Sequence, residues 1–174
     1  MVNNEFDAYN GPTYRAWLTQ AYQHAANKSK DKSTQLAALL VHPEQGLVAA
    51  AVNEFPKRIE VTDERLERPA KYEYTEHAER NVIFRCAERG FSTSGLIMYC
   101  PWYSCIDCSR AIIQAGIKEV VGHKEMYNQT PDHWNESVDK GIAMLEEAGI
   151  RTVYWSGKIG NDISVRMNGE LFYP

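Results

Sequence analysis

Nowhere does this sequence stay apolar for the roughly 20 residues that a membrane-spanning helix needs, so no helical span is expected. The opening, MVNNEFDAYNGP, has neither a basic stretch nor an apolar one. It predicts no secretory signal, and with that a cytoplasmic location. Cysteine is scarce, at four residues in 174. Without a secretory signal, so few argue against a disulfide framework. Positive charge is not in excess either: 19 Lys and Arg stand against 23 Asp and Glu, a net charge of −4. Affinity for nucleic acid rests on phosphate neutralisation, so an acidic chain is disfavoured as a nucleic-acid binder. A small phosphorylated substrate needs only a few local cations and stays open. No internal repeat or low-complexity tract is visible, and the length suits one domain with a real core.

The apolar pattern is orderly. PTYRAWLTQAYQHAANKS carries Tyr14, Trp17, Leu18, Ala21, Tyr22 and Ala25 at helical spacing, which predicts a helix over 12–28 with Pro12 in its first turn. QLAALLV and LVAAAVN read as two strands of a hairpin around HPEQG. Residues 54–74 mix charges without a period and read as a loop. TEHAERNVIFRCAERG reads as a helix that Thr75 caps and Gly90 stops. Next come a strand (GLIMYC), a helix (CIDCSRAIIQAG), a strand (IKEVVG), a helix within TPDHWNESVDKGIAMLEEAG and a strand (IRTVYW). Alternating strands and helices predict a sheet covered on both faces. The helix between strands four and five makes those two parallel. Residues 1–155 form the main domain. Residues 156–174 form a tail or hairpin packed on it, turning at Asn168-Gly169.

CPWYSCIDCSRAIIQAG, residues 100–116, holds three of the four cysteines. Cys105 and Cys108 form a C-x-x-C at a helix start. By itself that fits a redox dithiol, a structural metal knuckle or a catalytic metal site. His77-Ala78-Glu79 opens the preceding helix and decides among them. One imidazole and two thiolates suit tetrahedral zinc, and three protein ligands leave the fourth position open, as in catalytic zinc sites. Both ligand sets lie at predicted helix N-termini, where the backbone dipole favours thiolate. Glu79 is two residues from His77, close enough to move protons without binding the metal.

The combined H-x-E and C-x-x-C pattern resembles the zinc-dependent cytidine and deoxycytidylate deaminase superfamily. HAERNVI is similar to that family's H-A-E-x-N-A-I. CSRAIIQAGIKEVV is similar to its C-A-K-x-I-I-x-A-G-I-K-x-V-V, and AVNEFP stands where it carries G-Y-N-G-x-P. Ser104 replaces the proline before the first cysteine. Val52 and Glu54 replace the glycines around Asn53. The resemblance implies a three-layer α/β/α sandwich of class α/β with a mixed five-stranded sheet. The helix between strands four and five points to the deoxycytidylate subgroup, because free cytidine deaminases join those strands by a tight turn.

The implied activity is hydrolytic deamination of dCMP to dUMP with release of ammonia. One Zn2+ per chain would be held by His77, Cys105 and Cys108, with Glu79 as proton carrier. Asn53 would hold the sugar, and the backbone at Ala78 and Ser104 would orient the amine. Lys57 or Arg58 would meet the phosphate. Tyr103 is placed either in the core or as a wall beside the base, and Tyr127 at the pocket border. A homo-oligomer, dimer or hexamer, is expected. Alternatives are deaminases of dCTP, of a modified dCMP or of deoxycytidine, then a tRNA or polynucleotide deaminase, then a non-catalytic zinc scaffold. Cys86 and Cys100 read as core residues. His24, His42, His123 and His133 read as surface or satisfied histidines. Arg65, Arg68 and Lys71 read as part of a solvated charged loop.

Overall fold

A computed structural model describes residues 4–160 and 162–174. The chain runs through α1 (Asn4–Lys28), β1 (Ala37–His42), β2 (Gly46–Val52), α2 (Asp63–Leu66), α3 (Lys71–Tyr74), α4 (Ala78–Glu88) and β3 (Ile97–Tyr99). It continues through α5 (Ile106–Gln114), β4 (Glu119–His123), α6 (Lys124–Tyr127), α7 (Asp132–Glu147), β5 (Arg151–Trp155), β6 (Val165–Met167) and β7 (Glu170–Phe172). Five strands form one sheet in the order β2-β1-β3-β4-β5. β1 is antiparallel to both of its neighbours, whereas β3, β4 and β5 are mutually parallel. Parallel neighbours need a long crossover, and α5 and α7 supply them.

The two-residue period of the strands sorts their side chains into two cores. Leu39, Val41, Tyr99, Val121 and Val153 face α1 and bury its Tyr14, Leu18, Ala21 and Tyr22. Ala38, Leu40, Met98 and Val120 face the other way, against Val82 and Cys86 of α4, Ile112 of α5 and Leu145 of α7. A one-residue slip in any strand would exchange the two sets, so burial on both faces enforces the register. The result is the expected α/β/α sandwich. Among the described residues, no helix is long and apolar enough to cross a membrane.

The small β6–β7 ribbon turns on Asn168-Gly169, with Met167 opposite Glu170. It lies on the α1 side, where Val165 and Met167 join the core of Leu18 and Tyr22. His123 is also buried on that side. The Tyr22 hydroxyl meets its Nδ1 at 2.7 Å and the Gly157 carbonyl meets its Nε2 at 2.9 Å. A neutral ring protonated on Nε2 satisfies both partners, consistent with burial holding its pKa down.

Four local expectations are corrected. α1 begins at Asn4, so Pro12 lies in its interior rather than its first turn; a proline deletes one donor but does not forbid earlier turns. The stretch 54–74 is not featureless, because α2 and α3 form within it, and Thr62 caps α2 by accepting from the Arg65 N–H. Thr75 does not cap α4; His77 occupies that position, without a side-chain cap of its own. The short α6 after β4 has no counterpart in the sequence reading.

One close approach brings α7 onto the loop before α5. A Cβ at Gly141 would stand 2.6 Å from the Ser104 carbonyl oxygen and 2.7 Å from Ser109 Oγ. The first obstacle is backbone and cannot rotate away. Gly141→Ala is therefore expected to lower stability. Overpacking costs about 1–3 kcal/mol, of which improved helix propensity offsets at most about 1 kcal/mol. Thermal unfolding measures it, and a Tm at or above that of the parent chain would show that α7 yields.

Candidate active site

The N-termini of α4 and α5 converge. His77 is the N-cap of α4 and Cys105 the N-cap of α5, with Cys108 one turn further on. His77 Nδ1 lies 3.6 Å from Cys105 Sγ and 3.5 Å from Cys108 Sγ. All three donor atoms lie within 4.8 Å of one another. Zinc bonds of about 2.0 Å to nitrogen and 2.3 Å to sulfur, opened to the tetrahedral angle, would separate N from S by roughly 3.5 Å. The donor set therefore fits zinc in both chemistry and spacing. Hydrogen bonding from Cys108 is the largest influence holding the Cys105 thiol well below its usual range, and His77 adds to it. The same bond pushes the Cys108 thiol up. Burial opposes the charged form of His77, but Cys105 and Glu79 outweigh it and raise its pKa.

Why α4 starts where it does is settled from β2. Asn53 Oδ1 accepts from the Ala78 N–H at 2.9 Å, in place of a local cap. Its Nδ2 donates to the Thr34 carbonyl at 3.3 Å. Asn81 reinforces the joint, donating to the Val52 carbonyl at 2.9 Å and to Glu54 Oε1 at 2.8 Å. Glu54 also pairs with Arg85. The acidic residue that departs from the family's glycine thus acquires two partners on α4. Glu79 follows within the first turn of α4, with only 2% of its surface exposed. Its Oε2 has no hydrogen-bond partner among the described residues. Burial pushes its carboxyl above the usual range, and His77 pulls the other way. A buried carboxylate oxygen without a partner is costly. Here it stands beside three metal-type donors.

His77, Glu79 and Cys105 line one cavity of about 50 Å³ together with Asn53, Tyr103, Trp102 and Trp134. A wider cavity of about 380 Å³ shares Tyr72, His77, Cys105 and Trp134 with it. Trp134 stands between the two, its ring 6.0 Å from His77, 6.1 Å from Trp102 and 6.3 Å from Tyr72. The anticipated residues distribute unevenly. Ala78 and Ser104 are buried beside the ligands. Tyr103 reaches the cavity but is anchored in the core, where its hydroxyl donates to the Val153 carbonyl and its ring stacks on Tyr154 at 4.2 Å. Tyr127 stands one ring behind, 5.9 Å from Tyr103, with its hydroxyl on Asp139.

Lys57 and Arg58 are not brought to this cavity. They line a different one, with Phe55 and Pro56, and Lys57 pairs with Glu88. The cation that does reach the site is Arg68. Arg68, Tyr72 and Trp134 carry no motif of their own. The one signal available for Arg68 was its place in a long charged stretch before H-x-E.

A family model described as the cytidine and deoxycytidylate deaminase zinc-binding region matches residues 12–124. Deoxycytidylate deaminase of Pongo abelii is 32% identical over 116 residues, 62% of this chain and 63% of that protein. The Homo sapiens protein is 30% identical over the same length and the same shares. The chain thus spans 63% of the length of these curated relatives. Among solved structures, the apo dCMP deaminase from cyanophage S-TIM5 superposes with a TM-score of 0.63 at 22% identity, covering 82% of this chain and 98% of that one. That likeness establishes the fold.

The purified protein is expected to carry one zinc ion per chain, and Cys105→Ala/Cys108→Ala to carry none. Thiols and imidazole must lose their protons to bind metal, so occupancy falls as pH drops. Elemental analysis across a pH series checks both statements. Full occupancy in the double variant would remove these residues from the site.

Proposed function

We propose, since the chain belongs to the cytidine and deoxycytidylate deaminase family, that it hydrolyses dCMP to dUMP and ammonia. The observation that carries this reading is the placement of His77, Cys105 and Cys108 at zinc-binding separations beside buried Glu79, whose Oε2 has no hydrogen-bond partner among the described residues. The relatives that bear the name deoxycytidylate deaminase support the choice of substrate. When bound by those three ligands, zinc supplies Lewis acidity that lowers the pKa of a coordinated water.

The remaining work falls to the chain's own groups. Water adds at C4 of the pyrimidine, the C4–N bond breaks, and ammonia leaves. Glu79 takes one proton from the water and delivers it to N3, then takes the proton of the new C4 hydroxyl and transfers it to the departing amine. Burial raises its pKa above the usual carboxyl range, which strengthens it as a base toward the water's proton. Asn53 positions the Ala78 peptide, and the sugar packs beside it. Trp102 and Trp134 keep water from the face of the base.

The domain of residues 1–155 houses this chemistry, and the tail contributes from its edge. A cytoplasmic setting suits four unpaired cysteines. Exposed Phe84 and Phe91, which line a shallow apolar groove beside α4 and α5, support assembly into a homo-oligomer, dimer or hexamer.

Glu79→Gln preserves shape and removes the exchangeable proton. It is expected to keep fold and zinc while losing about 100- to 10,000-fold in kcat on dCMP. Ammonia release measures it alongside metal content. A variant within about tenfold of the parent would mean that another group moves the protons.

A further inference from the structure

We infer that Arg68 reads the 5′-phosphate of the nucleotide, and that the C-terminal hairpin holds it in place through Asn168. The inference rests on the dCMP reading above and adds to it the residues that separate a nucleotide from a nucleoside. Among the described residues, Arg68 is the one Lys or Arg side chain lining the cavity that contains His77, Glu79 and Cys105. It arrives there from the segment between α2 and α3.

Its charge is not cancelled. Arg68 Nη2 donates to Ser33 Oγ at 2.9 Å and to Asn168 Oδ1 at 2.9 Å, both neutral oxygens. The neighbouring cations are differently placed: Lys57 pairs with Glu88, Lys71 with Asp31, Arg80 with Glu76 and Arg85 with Glu54. Among the described residues, Arg68 has no such carboxylate, and its Nε–H and both Nη1 hydrogens are without a hydrogen-bond partner. With Nη2 engaged and the guanidinium over the Tyr72 ring at 5.7 Å, its Nε–H and Nη1 hydrogens remain to donate charge-assisted bonds to a phosphate.

The tether is itself rigid. Lys71, three residues on, forms a buried pair with Asp31, each side chain 9% exposed. Asp31 Oδ1 also accepts from the backbone N–H groups of Ser33 and Thr34. One carboxylate therefore sets both Arg68's segment and the Ser33 that holds Arg68. On the other side, the Gly169 N–H donates to the Ser33 carbonyl at 2.8 Å. Gln35 and Arg166 exchange two further bonds, each 2.9 Å, between the hairpin and the segment carrying Thr34. The hairpin lies beyond residues 12–124 matched by the family model. It meets Arg68 through the Asn168 amide oxygen. Arg68 is thus a specificity residue, and Asn168 a positioning residue that acts through it.

The test measures kcat and KM on dCMP and on deoxycytidine for the zinc-loaded full chain and for Arg68→Ala, Arg68→Lys and Asn168→Ala. Binding of dUMP and deoxyuridine by calorimetry, zinc content and Tm are recorded for each. Arg68→Ala is expected to lose about 10- to 100-fold in kcat/KM on dCMP, chiefly through KM, with deoxycytidine held within about twofold. Binding of dUMP should weaken in parallel and that of deoxyuridine should not. Arg68→Lys keeps the charge without the fork and should recover part of the loss. Asn168→Ala should raise KM for dCMP several-fold at constant kcat, which a general loss of stability would not do. Equal losses on both substrates, or an unchanged KM for dCMP in Arg68→Ala, overturn the role of Arg68. An unchanged Asn168→Ala overturns the role of the hairpin. A parent chain that does not prefer dCMP to deoxycytidine overturns instead the substrate reading on which the inference rests.

Discussion

The hydrogen bond from the Ala78 N–H to Asn53 Oδ1 joins the end of β2 to the start of α4, and the site depends on it. A helix leaves its first N–H groups without intrahelical partners, and a buried one must find an acceptor. Here the acceptor is Asn53, just past the end of β2 and 25 residues earlier. That frees His77 from capping duty, so its Nδ1 can turn to Cys105 and Cys108 instead. Glu79, two residues on, inherits its direction from the same turn. Asn81 and Arg85 clamp the helix to the same strand through Val52, Ala50 and Glu54. An asparagine serves this joint because its amide accepts at one end and donates at the other, with the Thr34 carbonyl taking the second bond.

The placement of charge follows from that joint. Burying Glu79 Oε2 without a hydrogen-bond partner opposes folding, and the three nearby donors are themselves harder to bury when charged. Such an arrangement persists where a bound ion compensates it, so the ligand cluster and the unpartnered oxygen are two aspects of one design. Elsewhere the molecule neutralises its buried charges directly. Lys71 and Asp31 pair almost out of solvent, and Arg151 meets Glu119 at 3.3 Å.

Aromatic rings close the site from the opposite side. Trp134, near the start of α7, touches His77, Trp102 and Tyr72, which lie on three separate segments. α7 can bring it there because Gly141 lets the helix rest on the Ser104–Cys105 backbone. On another side Arg68 lines the cavity, held by Ser33 and by Asn168 of the β6–β7 turn. Elements far apart in the chain thus meet around one small volume.

The metal donors were legible in the sequence, because their spacing is local. His77 and Glu79 share one helical turn, and Cys105 and Cys108 share another, so pattern alone places each pair on one face. The strand and helix order was legible for the same reason: periods of two and 3.6 are written residue by residue. Helix stops at Gly90, Gly116 and Gly149 were equally plain, each taking the positive φ that favours glycine. Which cation meets the pocket was not. Lys57 and Arg58 are nearer in sequence to Asn53, but the chain carries them to another cavity and brings back Arg68. The cap of α4 was misplaced on Thr75, because the true acceptor is Asn53, across the fold from its donor. Trp134 reaches the site, and Asn168 reaches Arg68 beside it, only through the packing of the parallel crossover and the terminal hairpin. Local spacing determines which atoms are capable of the chemistry. The order of strands and the packing of helices decide which distant groups surround them, since contacts between segments tens of residues apart follow from burial of whole faces rather than from any short pattern.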